Sequence, residues 1–283
     1  MNAISIKNVT KKYPGFTLGP VDLELPSGCV MGLVGENGAG KSTTIRLILN
    51  AAACGTGEIS VLGQSTGVPG FETVKQDLGV VLDEAYFPEV LNAKHVAKIL
   101  KNTYKNWDND AFFAYLTRFS IDADKKFKDY SRGMRMKLAL ASALSHDAKL
   151  LILDEATSGL DPMAREELLE LFNEFTREED RSILLSSHIV SDLEKVCDYI
   201  AFLHQGKLLL CEEKDRLLER YALVSLPKEQ LEDLPEDGVV AAETGAYGAR
   251  ALVLRDKVRQ DLPFEHTDLE DIILFLAKGS ANR

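Results

Sequence analysis

The segment that most limits how this chain can fold is Gly35-Glu36-Asn37-Gly38-Ala39-Gly40-Lys41-Ser42-Thr43, set between a short apolar run at 29–34 and an amphipathic stretch at 43–49. It satisfies the Gly-x-x-x-x-Gly-Lys-Ser/Thr pattern in the strand, loop, helix context that a phosphate-binding loop requires. Glycines let backbone N–H groups curl around β- and γ-phosphates, and the positive end of the following helix adds field. Lys41 supplies a compact cation, and the Ser42 hydroxyl reaches a Mg2+ ion. Residues 35–43 are therefore candidate nucleotide-binding residues, and Ser42 is also a candidate metal ligand.

Further short apolar runs at 79–82, 150–153 and 183–186 are separated by helical stretches, an alternation that implies a parallel sheet buried by helices on both faces. The run at 150–153 ends in Asp154-Glu155. In a sheet of this class two such carboxylates arrive at the strand's C-terminal edge, beside the phosphate loop. Asp154 is expected in the Mg2+ shell, since that cation prefers oxygen, and Glu155 is placed to orient or deprotonate an attacking water. Between the runs at 79–82 and 150–153 lies helical material. Residues 92–104 set Val96, Ile99, Leu100 and Tyr104 on one face, and 108–119 set Phe112, Leu116 and Phe119 on another.

Ahead of the phosphate loop, residues 4–9 and 21–25 read as two antiparallel strands turning at Tyr13-Pro14-Gly15. After Cys211 the pattern changes. A strand at 222–226 is followed by a hairpin of 238–243 and 249–255, and a last helix carries a capping box at Thr267 and Glu270.

Composition narrows the class of function. No run approaches the roughly 20 apolar residues of a membrane-spanning helix, and the start offers no basic segment followed by an apolar one, so a cytoplasmic chain is expected. Four cysteines lie far apart without Cys-x-x-Cys spacing, which argues against a zinc site or disulfide framework. A net charge of −11 opposes sequence-independent nucleic-acid binding, so no nucleic-acid partner is expected.

The phosphate loop and paired acids are followed by Ser158-Gly159-Leu160-Asp161-Pro162 and by Ser186-Ser187-His188. In this order they resemble the ABC transporter nucleotide-binding family, whose D-loop and switch histidine occupy those places. The resemblance covers roughly residues 1–211. It implies ATP and Mg2+ as ligands, ATP hydrolysis as the activity, and His188 in contact with the γ-phosphate. Tyr13 lies where the family stacks an aromatic on adenine.

Two segments depart from the family. The signature loop Leu-Ser-Gly-Gly-Gln is matched in part by Tyr130-Ser131-Arg132-Gly133-Met134, at the start of a helix at 134–144. The resemblance implies that Ser131 and Gly133 face the γ-phosphate held by an opposite cassette, and hence a second ATP-binding subunit, identical or related. The other departure is Gly79-Val80-Val81-Leu82-Asp83-Glu84, where the family usually has a glutamine. Asp83 aligns best there and is a candidate for Mg2+ or its water, while an offset of one chooses Glu84.

The expected fold is α/β: a P-loop ATPase sheet with an antiparallel β subdomain and a helical insertion at about 84–145, within an ATP-binding domain at 1–211. A small α+β extension at 212–283 would serve dimerisation, regulation or solubility. Trp107-Asp108 and the altered signature look like bacterial ABC-2 type exporter subunits. That likeness implies a separately encoded integral membrane permease as partner and a place on the inner face of the membrane. The alternatives are a soluble ABC ATPase acting on a complex such as the ribosome, and a nucleotide-binding regulatory module that has lost turnover. The resemblance implies that substrate contacts lie in the permease.

Overall fold

The computed structural model describes residues 1–83, 87–246 and 248–281; Glu84, the second choice for the glutamine position, lies outside them. The chain opens with a hairpin, β1 (Asn2–Tyr13) and β2 (Phe16–Pro26), and continues through β3 (Val30–Val34), α1 (Lys41–Ile48), β4 (Thr56–Val61), β5 (Gln64–Ser65), α2 (Phe71–Val74) and β6 (Leu78–Val81). Three helices follow, α3 (Ala93–Lys101), α4 (Asn109–Arg118) and α5 (Arg132–Leu144). Next come β7 (Leu150–Asp154), α6 (Pro162–Phe175), β8 (Ser182–Ser187), α7 (Val190–Val196), β9 (Tyr199–His204) and β10 (Lys207–Glu213). The last part comprises α8 (Lys214–Arg220), β11 (Tyr221–Leu226), α9 (Lys228–Leu231), β12 (Val239–Thr244), β13 (Ala249–Leu254), β14 (Phe264–Glu265) and α10 (Leu269–Ala281).

The central sheet has the order β10-β9-β3-β8-β7-β6, parallel except for β10. Its inner strands β3, β7 and β8 are buried at every position and largely apolar because both faces are covered, and alternate side chains feed different cores. Along β7, Leu151 and Leu153 join the core made with α3 to α7. Leu150 and Ile152 instead join the core made with α1 and the antiparallel sheet β2-β1-β4-β5. Register fixes the functional edge: Val34 lies opposite Ser187, Asp154 opposite Ser186, and Val81 opposite Leu153. The residues that follow β3, β6, β7 and β8 therefore emerge at one rim, where ligands bind in open sheets of this kind.

Several boundaries differ from the sequence reading. β1 and β2 are each longer than expected, because register shifts after Ile6 and Val9, with Asn8 at φ 49°, break the two-residue alternation while strand pairing continues. Gly19 and Pro20 fall within β2, a position open to proline because β2 is an edge strand. α3 stops at Lys101, and Ile99 points outward, half exposed, rather than sharing the buried face of Val96. The Phe112, Leu116 and Phe119 stripe is buried.

The expected boundary after Cys211 falls inside a strand, since β10 stays paired with β9 up to Glu213 opposite Tyr199. Beyond it, the sheet β12-β13-β11-β14 packs one face on α10 through Leu223, Leu252, Ile272 and Phe275, in the same continuous core as Leu193 and Val196 of α7. Its other face is closed by Val258, Leu231, Leu262 and Phe264. The cap of α10 is Asp268, whose Oδ1 accepts from Asp271 N–H at 2.8 Å. Thr267 is spent elsewhere: its hydroxyl accepts from Leu223 N–H at 2.9 Å and donates to Glu265 carbonyl at 3.2 Å. No helix among the described residues is long and apolar enough to cross a membrane.

Candidate functional site

At the rim of the central sheet a cavity of about 470 Å³ is lined by Phe16, Glu36, Asn37, Gly38, Gly40, Lys41, Ser42, Thr43, Asp83 and Glu155. The loop that forms its floor is shaped by close approaches. Gly40, the N-cap of α1, has φ 112°, and a Cβ there would stand 2.7 Å from Leu18 Cδ1. A Cβ at Gly35 would stand 2.4 Å from the Leu203 carbonyl oxygen, so the loop presses directly on β9. Ala39 is buried and its carbonyl accepts from Gly206 N–H at 3.0 Å, which ties the loop to the turn between β9 and β10. Gly35 and Ala39 thus set the loop's path and stand behind the cavity wall. The first N–H groups of α1 have no acceptor within the helix and open toward the cavity with the positive end of the helix dipole.

Lys41 is buried, with Nζ donating to the Gly35 carbonyl at 2.7 Å and the Glu36 carbonyl at 3.3 Å, and lying 3.2 Å from Glu155 Oε1. The other Glu155 oxygen, Oε2, is 2.6 Å from His188 Nδ1. The structure so brings Lys41, Glu155 and His188 into one chain of contacts, His188 half exposed at its outer end. Glu155 sits at φ 54°, in the left-handed region that a glutamate enters at a cost. Its N–H donates both to the Ser186 carbonyl and to Ser186 Oγ, each at 3.1 Å, and these bonds hold it there.

Asp154, almost wholly buried, stands just behind the cavity wall, and its Oδ1 accepts from Ser186 Oγ at 2.5 Å. Ser186 therefore fixes both carboxylates. Nothing in the sequence singled it out beyond its place two residues before His188, because its role depends on the register of β7 against β8.

On the opposite wall Asp83 Oδ1 lies 3.1 Å from Arg132 Nη2, a pairing across 49 residues. Ser131 caps α5, its Oγ accepting from Met134 N–H at 3.3 Å, so α5 begins two residues earlier than the sequence suggested. Neither Ser131 nor Gly133 lines this chain's own cavity. Tyr13 does not line it either: it lies at the hairpin tip, 41% exposed, with Lys11 Nζ 5.3 Å from its ring centroid. Its cross-strand partner Phe16 lines the cavity instead and packs beside Gly40 and Gly206. The one signal for Phe16 at the level of sequence is an aromatic at the far side of the same tight turn.

Among the described residues no group of three or more His, Cys, Asp or Glu could hold a metal by itself. The donors present nevertheless suit Mg2+, which takes oxygen ligands, keeps waters and relies on phosphate oxygens for the remainder. Ser42 offers a hydroxyl on the cavity floor, Asp83 a carboxylate on the wall, and Asp154 a carboxylate immediately behind it.

Comparison with known proteins places these features in company. The family model described as ABC transporter matches residues 18–158. The ABC transporter ATP-binding protein YhcH of Bacillus subtilis is 35% identical over 211 residues, covering 73% of this chain and 68% of that protein. The lantibiotic transport ATP-binding protein SrtF of Streptococcus pyogenes is 34% identical over 218 residues, covering 75% of this chain and 91% of SrtF. Among solved structures, an ATP-binding subunit of an ABC transporter superposes with a TM-score of 0.70 at 27% identity, over 76% of this chain and 91% of that one.

Proposed function

Because this chain belongs to the ABC transporter family and is an ATP-binding, ATP-hydrolysing subunit of a transporter, we propose that Glu155 activates the attacking water, and that the chain powers export through a separately encoded membrane permease. The observation that carries the reading is the contact chain Lys41, Glu155, His188 beside the phosphate loop. With ATP in the cavity, the triphosphate competes with Glu155 for Lys41, and the freed carboxylate is left within reach of the γ-phosphate, still oriented by His188. The φ of Glu155 and its bifurcated N–H hold that geometry before substrate arrives. The metal, when bound, supplies charge neutralisation of the phosphate oxygens. Ser42, Asp154 and Asp83 are the residues that would hold it or its waters.

Ser131 and Gly133 lie outside the chain's own cavity, and this favours their use on nucleotide held by a second cassette. The working unit is then a dimer with two composite sites, and the helices α3 to α5 pass the movement to the permease at the inner face of the membrane. Export rests on the likeness of the signature loop and the Trp107-Asp108 segment to ABC-2 type subunits. The segment from Lys214 onward is read as an extension of the ATP-binding domain, serving dimer contact or regulation.

The test is affinity isolation of tagged Glu155→Gln protein, with ATP and Mg2+, from gently solubilised host membranes. A multi-spanning protein recovered in near-equal amount is expected. Recovery of ribosomes or another soluble assembly in its place would overturn the transporter assignment.

A further inference from the structure

The two departures from the family pattern, an arginine in the signature loop and a carboxylate in place of the usual glutamine, meet in space. Arg132 Nη2 lies 3.1 Å from Asp83 Oδ1, and Asp83 lines the phosphate cavity together with Lys41, Ser42 and Glu155. The guanidinium also packs against Gly159, where a Cβ would stand 3.1 to 3.5 Å from Nη1, Cζ and Nε. Arg132 so joins three loops: the one after β6, the start of α5, and the one after β7.

Stability does not account for this arrangement. Both side chains are more than half exposed, and pairs of that kind contribute little to folding. A cation in the first turn of α5 opposes the helix dipole, and that turn holds no acid, only Arg132 and Arg135. The pairing has an electrostatic consequence elsewhere. A bare carboxylate on the wall of a triphosphate cavity repels its ligand, and Arg132 is the cation that pairs with Asp83 among the described residues.

We propose that Arg132 is a positioning residue for nucleotide: it cancels and holds the Asp83 carboxylate on the cavity wall, and so joins this chain's own triphosphate site to the loop that carries Ser131 and Gly133. The inference rests on the reading of the cavity as the ATP site. When a triphosphate with its metal enters, Asp83 has a second cation to turn to, and the tie between the cavity and the start of α5 loosens.

The test is a double-mutant cycle read by ATP binding in calorimetry, first in EDTA and then with Mg2+. Arg132→Gln weakens metal-free ATP binding by roughly three- to tenfold, the cost of one uncompensated surface carboxylate near the phosphates. In an Asp83→Asn background the same substitution changes affinity less than twofold. Arg132→Lys keeps the charge and retains most of the affinity, and Mg2+ shrinks the Arg132→Gln penalty because the metal screens Asp83. An equal penalty in both backgrounds, or none in either, would overturn the proposal. Lys41→Ala is the control for the underlying reading: if ATP binding survives it undiminished the cavity itself is misassigned, whereas loss of binding there with an additive cycle removes only the role of Arg132.

Discussion

Replacing Ser186 by alanine separates the account of the two carboxylates from a generic loss of a buried hydroxyl. Ser186 Oγ donates to Asp154 Oδ1 at 2.5 Å and accepts from Glu155 N–H at 3.1 Å, and Ser186 is fully buried. The Glu155 N–H keeps the Ser186 carbonyl as an alternative acceptor, so that bond is largely retained in the variant. The bond to Asp154 has no such substitute, and a buried carboxylate loses its donor. Hydrogen bonds to charged groups contribute about 1.5–3 kcal/mol, so Ser186→Ala costs about that much in unfolding free energy.

The neighbouring Ser187→Ala is the matched control. That serine is equally buried on the same strand, but its Oγ accepts from the neutral Ile189 N–H at 3.0 Å and meets no charged partner among the described residues. A neutral bond contributes about 0.5–1.5 kcal/mol. Urea unfolding of both variants at pH 7 in EDTA measures the difference, expected to be about 1 kcal/mol or more against Ser186→Ala. ATPase turnover of Ser186→Ala should also fall at least about tenfold, since Asp154 loses the donor that positions its carboxylate. Equal or smaller destabilisation by Ser186→Ala than by Ser187→Ala would refute the reasoning.

Two further outcomes follow from packing and from burial. A Cβ at Gly79 would stand 2.4 Å from Leu151 Cδ2 and 2.7 Å from the Ala143 carbonyl oxygen, so Gly79→Ala pushes α5 away from β6 and costs about 1–3 kcal/mol; a change in urea midpoint equivalent to under about 0.5 kcal/mol would contradict that contact. His146 is buried, stacked on Tyr104 at 3.8 Å between ring centroids, with Nε2 3.0 Å from the Leu78 carbonyl and Nδ1 3.2 Å from that of Ser142. Burial lowers its pKa, the largest effect, against the raising influence of those two carbonyls. The unfolded chain then takes up the proton first as pH falls below about 6.5, so this residue's contribution to stability declines on acidification by at most about 1.4 kcal/mol per pH unit. In His146→Asn the fall in unfolding free energy between about pH 7 and about pH 5.5 should be smaller than in the parent, and an undiminished fall would show that other groups carry it.

The α/β fold was legible in the sequence because its signals are local: apolar runs of strand length, each followed by helical periodicity. The phosphate loop and the Asp154-Glu155 pair were legible for the same reason, each being a contiguous segment at the end of such a run. Strand ends in the antiparallel sheet were not, since the irregular pairing near Asn8 hides the alternation on which such a reading depends. The pairing of Arg132 with Asp83 and the double role of Ser186 were hidden for a different reason. Both arise from strand register and helix docking, which bring residues tens of positions apart together, and no local pattern encodes them. Thr267 shows the limit of motif reading from the other side: its capping-box spacing is present, yet the hydroxyl serves β11 and Asp268 takes the cap.

The most direct measurement is steady-state ATPase turnover of Glu155→Gln beside ATP affinity of the same variant. Gln keeps the shape of the side chain and its contact with His188 while removing the base, so turnover should fall by roughly 10²–10⁴-fold with ATP affinity within about threefold of the parent. Turnover within about threefold of the parent, with binding intact, would contradict Glu155 as the group that activates water.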